Sequence, residues 1–565
     1  MRYHPASAVL LTLLPLCILT VDSRCLSGQD LPPHDRPDCV RVYFPLAAAQ
    51  GDARRSKQLF AEARQAAIAG QTEAAFNKLW QAHHTNPADA AVRRALALPP
   101  RKIAEPLVRP GRGAPPILGW RPRTYLQCET PHFAVYSTAS RAMTIAVAER
   151  LERFYWVWSQ VFFPLWEGRT DIRRGIQGGG GIGSGNEKLQ VVLFRDADAY
   201  VENLQRHVPG VERSTGFYSD QQRCTFLFAG RGADPATWYH ELTHQLLREA
   251  TRSKLRVVDR PGETAEFWLI EGIACYMESV RFGPTYALVG GWESPRLQYA
   301  RYRWLSAGDR MTLAELVPTG RQSAQQLDDI ARWYAHAAAY THLLMDNGLQ
   351  DGRASVFAKL QQLYDVPLLP GETTDAAPPI PVQAAAQQMV EYLTIDDERL
   401  FAPDPQIPLQ AICLGHTRVT ADGIANIAPQ SHLQWLNLSY LPVDTQDVRR
   451  LVADASSLDQ LSLENTRIDD TLSPLLAGAN KLTELDLSFT AVSDRALNSL
   501  SSEAPLETLF LTGTRVGDAA VKQIVRRETL QQIDVQRSEV SEAVLEQLKR
   551  QRPNITFNPL QLITQ

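Results

Sequence analysis

Apolar positions along the chain fall into three regimes. From Ala53 to Leu98, alanine and leucine recur at helical spacing, broken at Gly70 and at Asn86-Pro87, which predicts helix, turn, helix, turn, helix. From His132 the pattern is mixed: His132 to Tyr136 and Leu189 to Phe194 read as strands, and Ala142 to Phe163 between them reads as a long amphipathic helix. Beyond Leu409 the leucines become periodic, with Leu409, Leu433, Leu458, Leu482, Leu506 and Leu530 at spacings of 24, 25, 24, 24 and 24. Stretches rich in Pro, Gly and Arg (99–124) or in Pro and Ala (365–405, with one helix at Val382 to Leu393) separate these regimes. The chain is therefore expected to be an α/β multidomain protein, divided as 1–23, 24–52 (linker), 53–98 (helical), 99–124 (linker), 125–364 (mixed), 365–405 (linker) and 406–560 (periodic).

Each periodic unit has the form Leu-x-x-Leu-x-Leu, as at Leu482, Leu485 and Leu487. A Thr or Ser then follows (Thr417, Thr466, Thr490, Thr514, Ser538, with Leu441 the exception), and after it a Val or Ile. This pattern resembles the leucine-rich repeat, which implies a solenoid of six stacked strand-and-helix units. Between the leucines, Asn437, Ser462, Asp486, Phe510 and Asp534 form an outward row, with Glu464 and Glu484 beside it. That polar, somewhat acidic face suits a protein or glycan partner, the alternative being a purely structural appendage. Segment 53–98 resembles one tetratricopeptide-like hairpin, with Gly70 at the turn and Pro87 opening the next helix. A single copy cannot stack, so it is read as a helical spacer, with His83-His84 on its surface.

Charge adds little: 58 basic against 62 acidic side chains leave a net of -4, which argues against a nucleic-acid binder. At the N-terminus, Arg2 and His4 precede an apolar run from Ala8 to Val21, and Val21-Asp22-Ser23 fits cleavage after Ser23. This reads as a signal peptide and a secreted, periplasmic or cell-surface location, with a retained anchor as the alternative. Cleavage leaves six of the seven cysteines, with Cys25 and Cys39 the nearest candidate pair. The glycines from Gly178 to Gly185 lack a terminal Gly-Lys-Ser/Thr and precede a strand, so they are read as a flexible loop.

Chemistry concentrates after Asp234-Pro235, an N-cap and first-turn pair that opens a helix carrying His240-Glu241-Leu242-Thr243-His244. Residues four apart share a helix face, so both imidazoles can grip one Zn2+ ion while Glu241 reaches a water at the metal. Glu271 follows 27 residues after His244, among apolar neighbours, and supplies the carboxylate that a two-His-one-Glu site requires. Gly272 beside it is expected to let the two helices approach closely. Cys275, one turn after Glu271, is read as a small buried filler, with a position facing the metal as the alternative, and Glu278 as the group that orients a ligand histidine.

These two motifs, with Trp268, Leu269, Gly272, Ala274 and Tyr276 around Glu271, resemble the gluzincin-type metallopeptidases, and in particular the secreted bacterial peptidase-MA-like domains. The resemblance covers about Tyr125 to Tyr364 and implies a zincin-like α+β domain with His240, His244 and Glu271 as ligands and Glu241 as catalytic base. Tyr340 or His336, on an alanine-rich helix, is the expected donor to the oxyanion. The expected function is thus a secreted zinc metallopeptidase acting on a protein or peptide substrate that the repeats recruit. The alternatives are a non-catalytic extracellular scaffold that binds through the repeat face and a zinc hydrolase of non-peptide amides.

Overall fold

The computed structural model describes residues 36–45, 51–98, 106–166, 172–177, 188–367 and 378–559. The expected signal peptide, Cys25 and the glycine loop lie outside them. Architecture is mixed α/β, in two compact units: Met1–Gly290 with Leu313–Val382, and Gly291–Thr312 with Gln383–Gln565. Among the described residues, no helix is long and apolar enough to cross a membrane.

In the first unit, a six-stranded mixed sheet runs in the order Leu107–Pro110, Leu126–Glu129, Phe133–Ser137, Leu189–Phe194, Cys224–Phe228, Gly216–Ser219. Its centre is parallel: Val135 faces Val191, which faces Thr225. Phe133–Ser137 and Cys224–Phe228 are buried along their whole length, as continuous apolar runs in a covered sheet should be. The crossover between the two central strands carries helix Arg141–Val161, started by Ser140, whose Oγ accepts from the Met143 N–H at 3.2 Å.

Two segments expected to be linkers contribute strands. Leu107–Pro110 extends the edge of the large sheet, and Cys39–Tyr43 pairs with Tyr286–Gly290 in a separate three-stranded antiparallel sheet. The N-terminal helices are Ala53–Ile68, Thr72–Thr85 and Ala90–Ala95, with Gly70 in the left-handed region (φ 79°) at the first turn. Asp89, rather than Pro87, caps the third helix, accepting from the Ala91 N–H at 2.9 Å. His83 and His84 are not a surface pair. His83 is fully buried with Nε2 2.8 Å from the Pro45 carbonyl, and His84 stacks on Tyr43, because the segment after Cys39–Tyr43 lies over the hairpin. Burial lowers both imidazoles to a pKa of about 4.

The second unit is built on seven short parallel strands, from Ala411–Cys413 to Thr556–Phe557, one more than the leucine spacing predicts. The repeated leucines and valines form one continuous core with Trp292 and Ile395. Immediately after the strands, His416, Tyr440, Asn465, Phe489, Gly513 and Arg537 each adopt positive φ, and from His416 to Gly513 each N–H bonds a carbonyl of the following unit. The expected outward row is partly inward: Asn437 and Asp534 are buried. Asn437, Asp486 and Asp534 each accept, through Oδ1, the N–H two residues on. These side chains close turns.

Gly291–Thr312 belongs to this unit although it interrupts the first in sequence. Its Gln298 accepts from the Cys413 N–H at 2.6 Å and donates Nε2–H to Ala411 O at 2.9 Å, so one amide side chain satisfies the edge of the first strand. Arg301, 1% exposed, donates to the carbonyls of Leu393, Cys413 and Trp292. Among the described cysteines, no two are joined to each other.

Candidate metal centre

Helix Pro235–Glu249 starts where the sequence predicts, with Asp234 Oδ1 accepting from the Ala236 N–H at 2.8 Å. It is fixed to the sheet through buried Gln245, which accepts from Thr225 Oγ1 at 2.9 Å and donates to Gln190 O at 3.1 Å. His240 and His244, one turn apart, thereby face helix Phe267–Met277, whose Glu271 is 4% exposed. His240 Nε2 lies 3.2 Å from Glu271 Oε2, and His244 Nε2 lies 3.8 Å from Glu271 Oε1.

Three donor atoms within 4.8 Å of one another make a group that can hold a metal ion. An ion bonded at about 2.1 Å sets tetrahedral neighbours roughly 3.4 Å apart, between the two spacings observed. His240 also belongs to a second grouping, with Cys275 and Glu278. Its Nδ1 lies 2.8 Å from Glu278 Oε1, which leaves Nε2 directed at Glu271. Cys275, fully buried, hydrogen-bonds His240 and so is more than a filler.

The electrostatics are those of a centre short of positive charge. Burial would raise the Glu271 carboxyl, but His244, His240 and Arg321 together hold it well below the usual carboxylate range. Burial lowers His244 to about 4, keeping its imidazole neutral as a ligand must be. Burial also lifts Glu241 to about 7, with the carboxylates of Glu271 and Glu278 adding to the rise. One oxygen of Glu241 accepts the Tyr218 N–H at 2.9 Å, from edge strand Gly216–Ser219. Three clustered carboxylates against two imidazoles suit a divalent cation.

The expected oxyanion donors are elsewhere. Helix Ile330–Met345 meets the Glu271 helix along Ala337 and Thr341, the groups that a Cβ at Gly272 would strike at 2.9 and 2.2 Å. Gly272 therefore admits this helix rather than the one bearing His240. Tyr334 shares that stripe, three and seven residues before Ala337 and Thr341, and its hydroxyl bonds Glu271. Its ring centroid lies 6.5 Å from that of His240. Burial, then Glu271, raises its phenol far above the ordinary value, keeping it a proton donor. His336 sits about 200° and Tyr340 about 240° further round the helix. His336 Nδ1 donates to Arg332 O at 2.7 Å, and Tyr340, fully buried, bonds the Leu313 backbone.

No family model matches the chain, and no curated protein matches it.

Proposed function

We propose that the first unit is a zinc-dependent peptidase of the gluzincin type. The observation that supports it best is the convergence of both imidazole Nε2 atoms on the Glu271 carboxylate, beside a buried glutamate of raised pKa. On this reading His240, His244 and Glu271 hold Zn2+, which when bound supplies Lewis acidity toward a carbonyl and acidifies water. Glu241 takes a proton from water and returns it to the leaving amine. A carboxyl near 7 is suited to both transfers at neutral pH. Tyr218 fixes one oxygen of that carboxylate through its backbone, Glu278 fixes the ring of His240, and Tyr334 donates to the charge developing on the scissile carbonyl.

The second unit, on the same reading, is a leucine-rich repeat array that recruits a protein substrate or partner, and the protein acts outside the cytoplasm. The test is metal analysis of the purified chain, with hydrolysis of a mixed peptide pool followed by mass spectrometry. One zinc per chain, lost in His244→Ala, and cleavage abolished in a zinc-retaining Glu241→Gln variant are expected. Undiminished cleavage by Glu241→Gln would refute the assignment of the base.

A further inference from the structure

A cavity of about 530 Å³ has Tyr218, Asp220, Arg223, Arg248, Glu249 and Arg252 in its wall. Its volume is that of an ordinary small-ligand site. Tyr218 ties it to the chemistry: the backbone N–H holds Glu241 at 2.9 Å while the side-chain hydroxyl donates to Glu249 Oε1 at 3.1 Å. Glu249 follows Glu241 by eight residues of one helix, about 12 Å along its axis. An extended peptide covers that length in three to four residues at about 3.3 Å each.

Among the described residues, the wall carries three arginines against two carboxylates. Arg248 donates to Asp220 at 2.8 Å and Arg223 to Glu249 at 3.3 Å, which leaves Arg252 without a carboxylate in the cavity. The loop that follows adds Lys254, Arg256 and Arg260 against Asp259, Glu263 and Glu266, of which Asp259 is held by Arg256 at 2.9 Å and Glu263 lies 3.9 Å from Arg321. Backbone geometry bears on two of these arginines. Arg223 (φ 48°) and Arg252 (φ 57°) both occupy the left-handed region, where glycine or asparagine is the comfortable choice.

We infer that this cavity is a subsite for an acidic side chain, Asp or Glu, of the bound polypeptide, three to four residues from the cleaved bond, with Arg252 as the unneutralised contact. The inference rests on the peptidase reading and names its substrate class.

Matched fluorescent peptides that carry Glu or Gln at the third or fourth position on either side of the cleaved bond test it, on the zinc-loaded full chain and on Glu241→Gln by anisotropy. The Glu peptide should bind and be cleaved with a KM about tenfold below that of its Gln partner on one side of the bond. Arg252→Gly should bring that ratio close to one without lowering the melting temperature, since glycine accepts φ 57°. Arg252→Glu should invert it. A Glu preference undiminished in Arg252→Gly, or equal binding of the two peptides throughout, would overturn the subsite. If nothing is hydrolysed yet Glu241→Gln still binds the Glu peptide through Arg252, the peptidase reading falls and the carboxylate subsite stands.

Discussion

Replacing Gly272 by alanine sets two effects of opposite sign against each other. In a helix interior the change ordinarily stabilises by about 1 kcal/mol. At Gly272, however, the new Cβ would lie 2.2 Å from Thr341 Oγ1 and 2.9 Å from the Ala337 carbonyl, where ordinary contact begins at 3.4 Å. Thr341 cannot swing aside without breaking its own 2.9 Å bond to Ala337 O, and the carbonyl, being backbone, cannot swing at all. Relieving the carbonyl alone takes about 0.5 Å of separation between helices Phe267–Met277 and Ile330–Met345, and relieving Thr341 in place takes about 1.2 Å. Such overpacking costs about 1 to 3 kcal/mol, so Gly272→Ala should be destabilised by up to about 2 kcal/mol after the helix gain is deducted. Glu271 is the adjacent residue, and a shift of about 0.5 Å there is enough to loosen metal binding. Urea unfolding with and without zinc measures the first effect, and competition with a chelator the second. Adding Thr341→Ala should recover only part of the loss, since the Ala337 carbonyl stays. A Gly272→Ala protein more stable than the parent would refute this account of the helix contact.

On the zinc-peptidase proposal, Tyr334→Phe should keep bound zinc and lose turnover by about 10²- to 10³-fold, whereas Tyr340→Phe should keep turnover; steady-state kinetics on one peptide separates the two. Glu278→Ala should weaken zinc by about 10- to 100-fold in a chelator titration, because His240 Nδ1 loses the carboxylate that orients it. Asp486 gives a pH prediction in the second unit: burial lifts its carboxyl to about 7, with Glu464 and Glu484 contributing. The folded state thus binds the proton more tightly than the unfolded one, so stability falls as pH rises from about 4 to 7. Asp486→Asn should flatten that fall and be the more stable protein at pH 8, read by thermal melts across pH. Arg301→Met strips the donors from three buried carbonyls and should cost the second unit about 3 kcal/mol or more, read by limited proteolysis or urea.

Much of this was legible because it is local. Asp234 before Pro235, and histidines one turn apart, need only the helix they sit on, and an apolar run around Glu271 already implies a buried carboxylate in search of a cation. Tyr334 was not legible in the same way. Which face of the alanine-rich helix turns toward Glu271 is decided by where Gly272 lets Ala337 and Thr341 approach, and three faces carry a polar ring. The leucine period announced the parallel strands, since each repeats the same inward pattern. It could not announce that Gln298 and Arg301, over a hundred residues upstream, complete the first of them, because two side-chain amide bonds and a guanidinium leave no periodic trace. Cys39–Tyr43 was missed for a similar reason: a five-residue strand is defined by its partner, Tyr286–Gly290, and not by its own composition.

Because Gly291–Thr312 leaves the first unit and the chain returns to it at Leu313, the order of synthesis matters. Gln298 emerges from the ribosome 113 residues before Ala411, the residue it bonds, so Trp292 and Arg301 spend that interval facing water or a chaperone. Residues Leu313–Val382 emerge within the same interval, so the metal centre can close while this loop still lacks its partners. A ribosome that stops early would release a molecule with assembled ligands and an exposed tryptophan-bearing loop, the sort of surface that cellular quality control recognises. Burial of that loop thus waits on the strands that begin at Ala411.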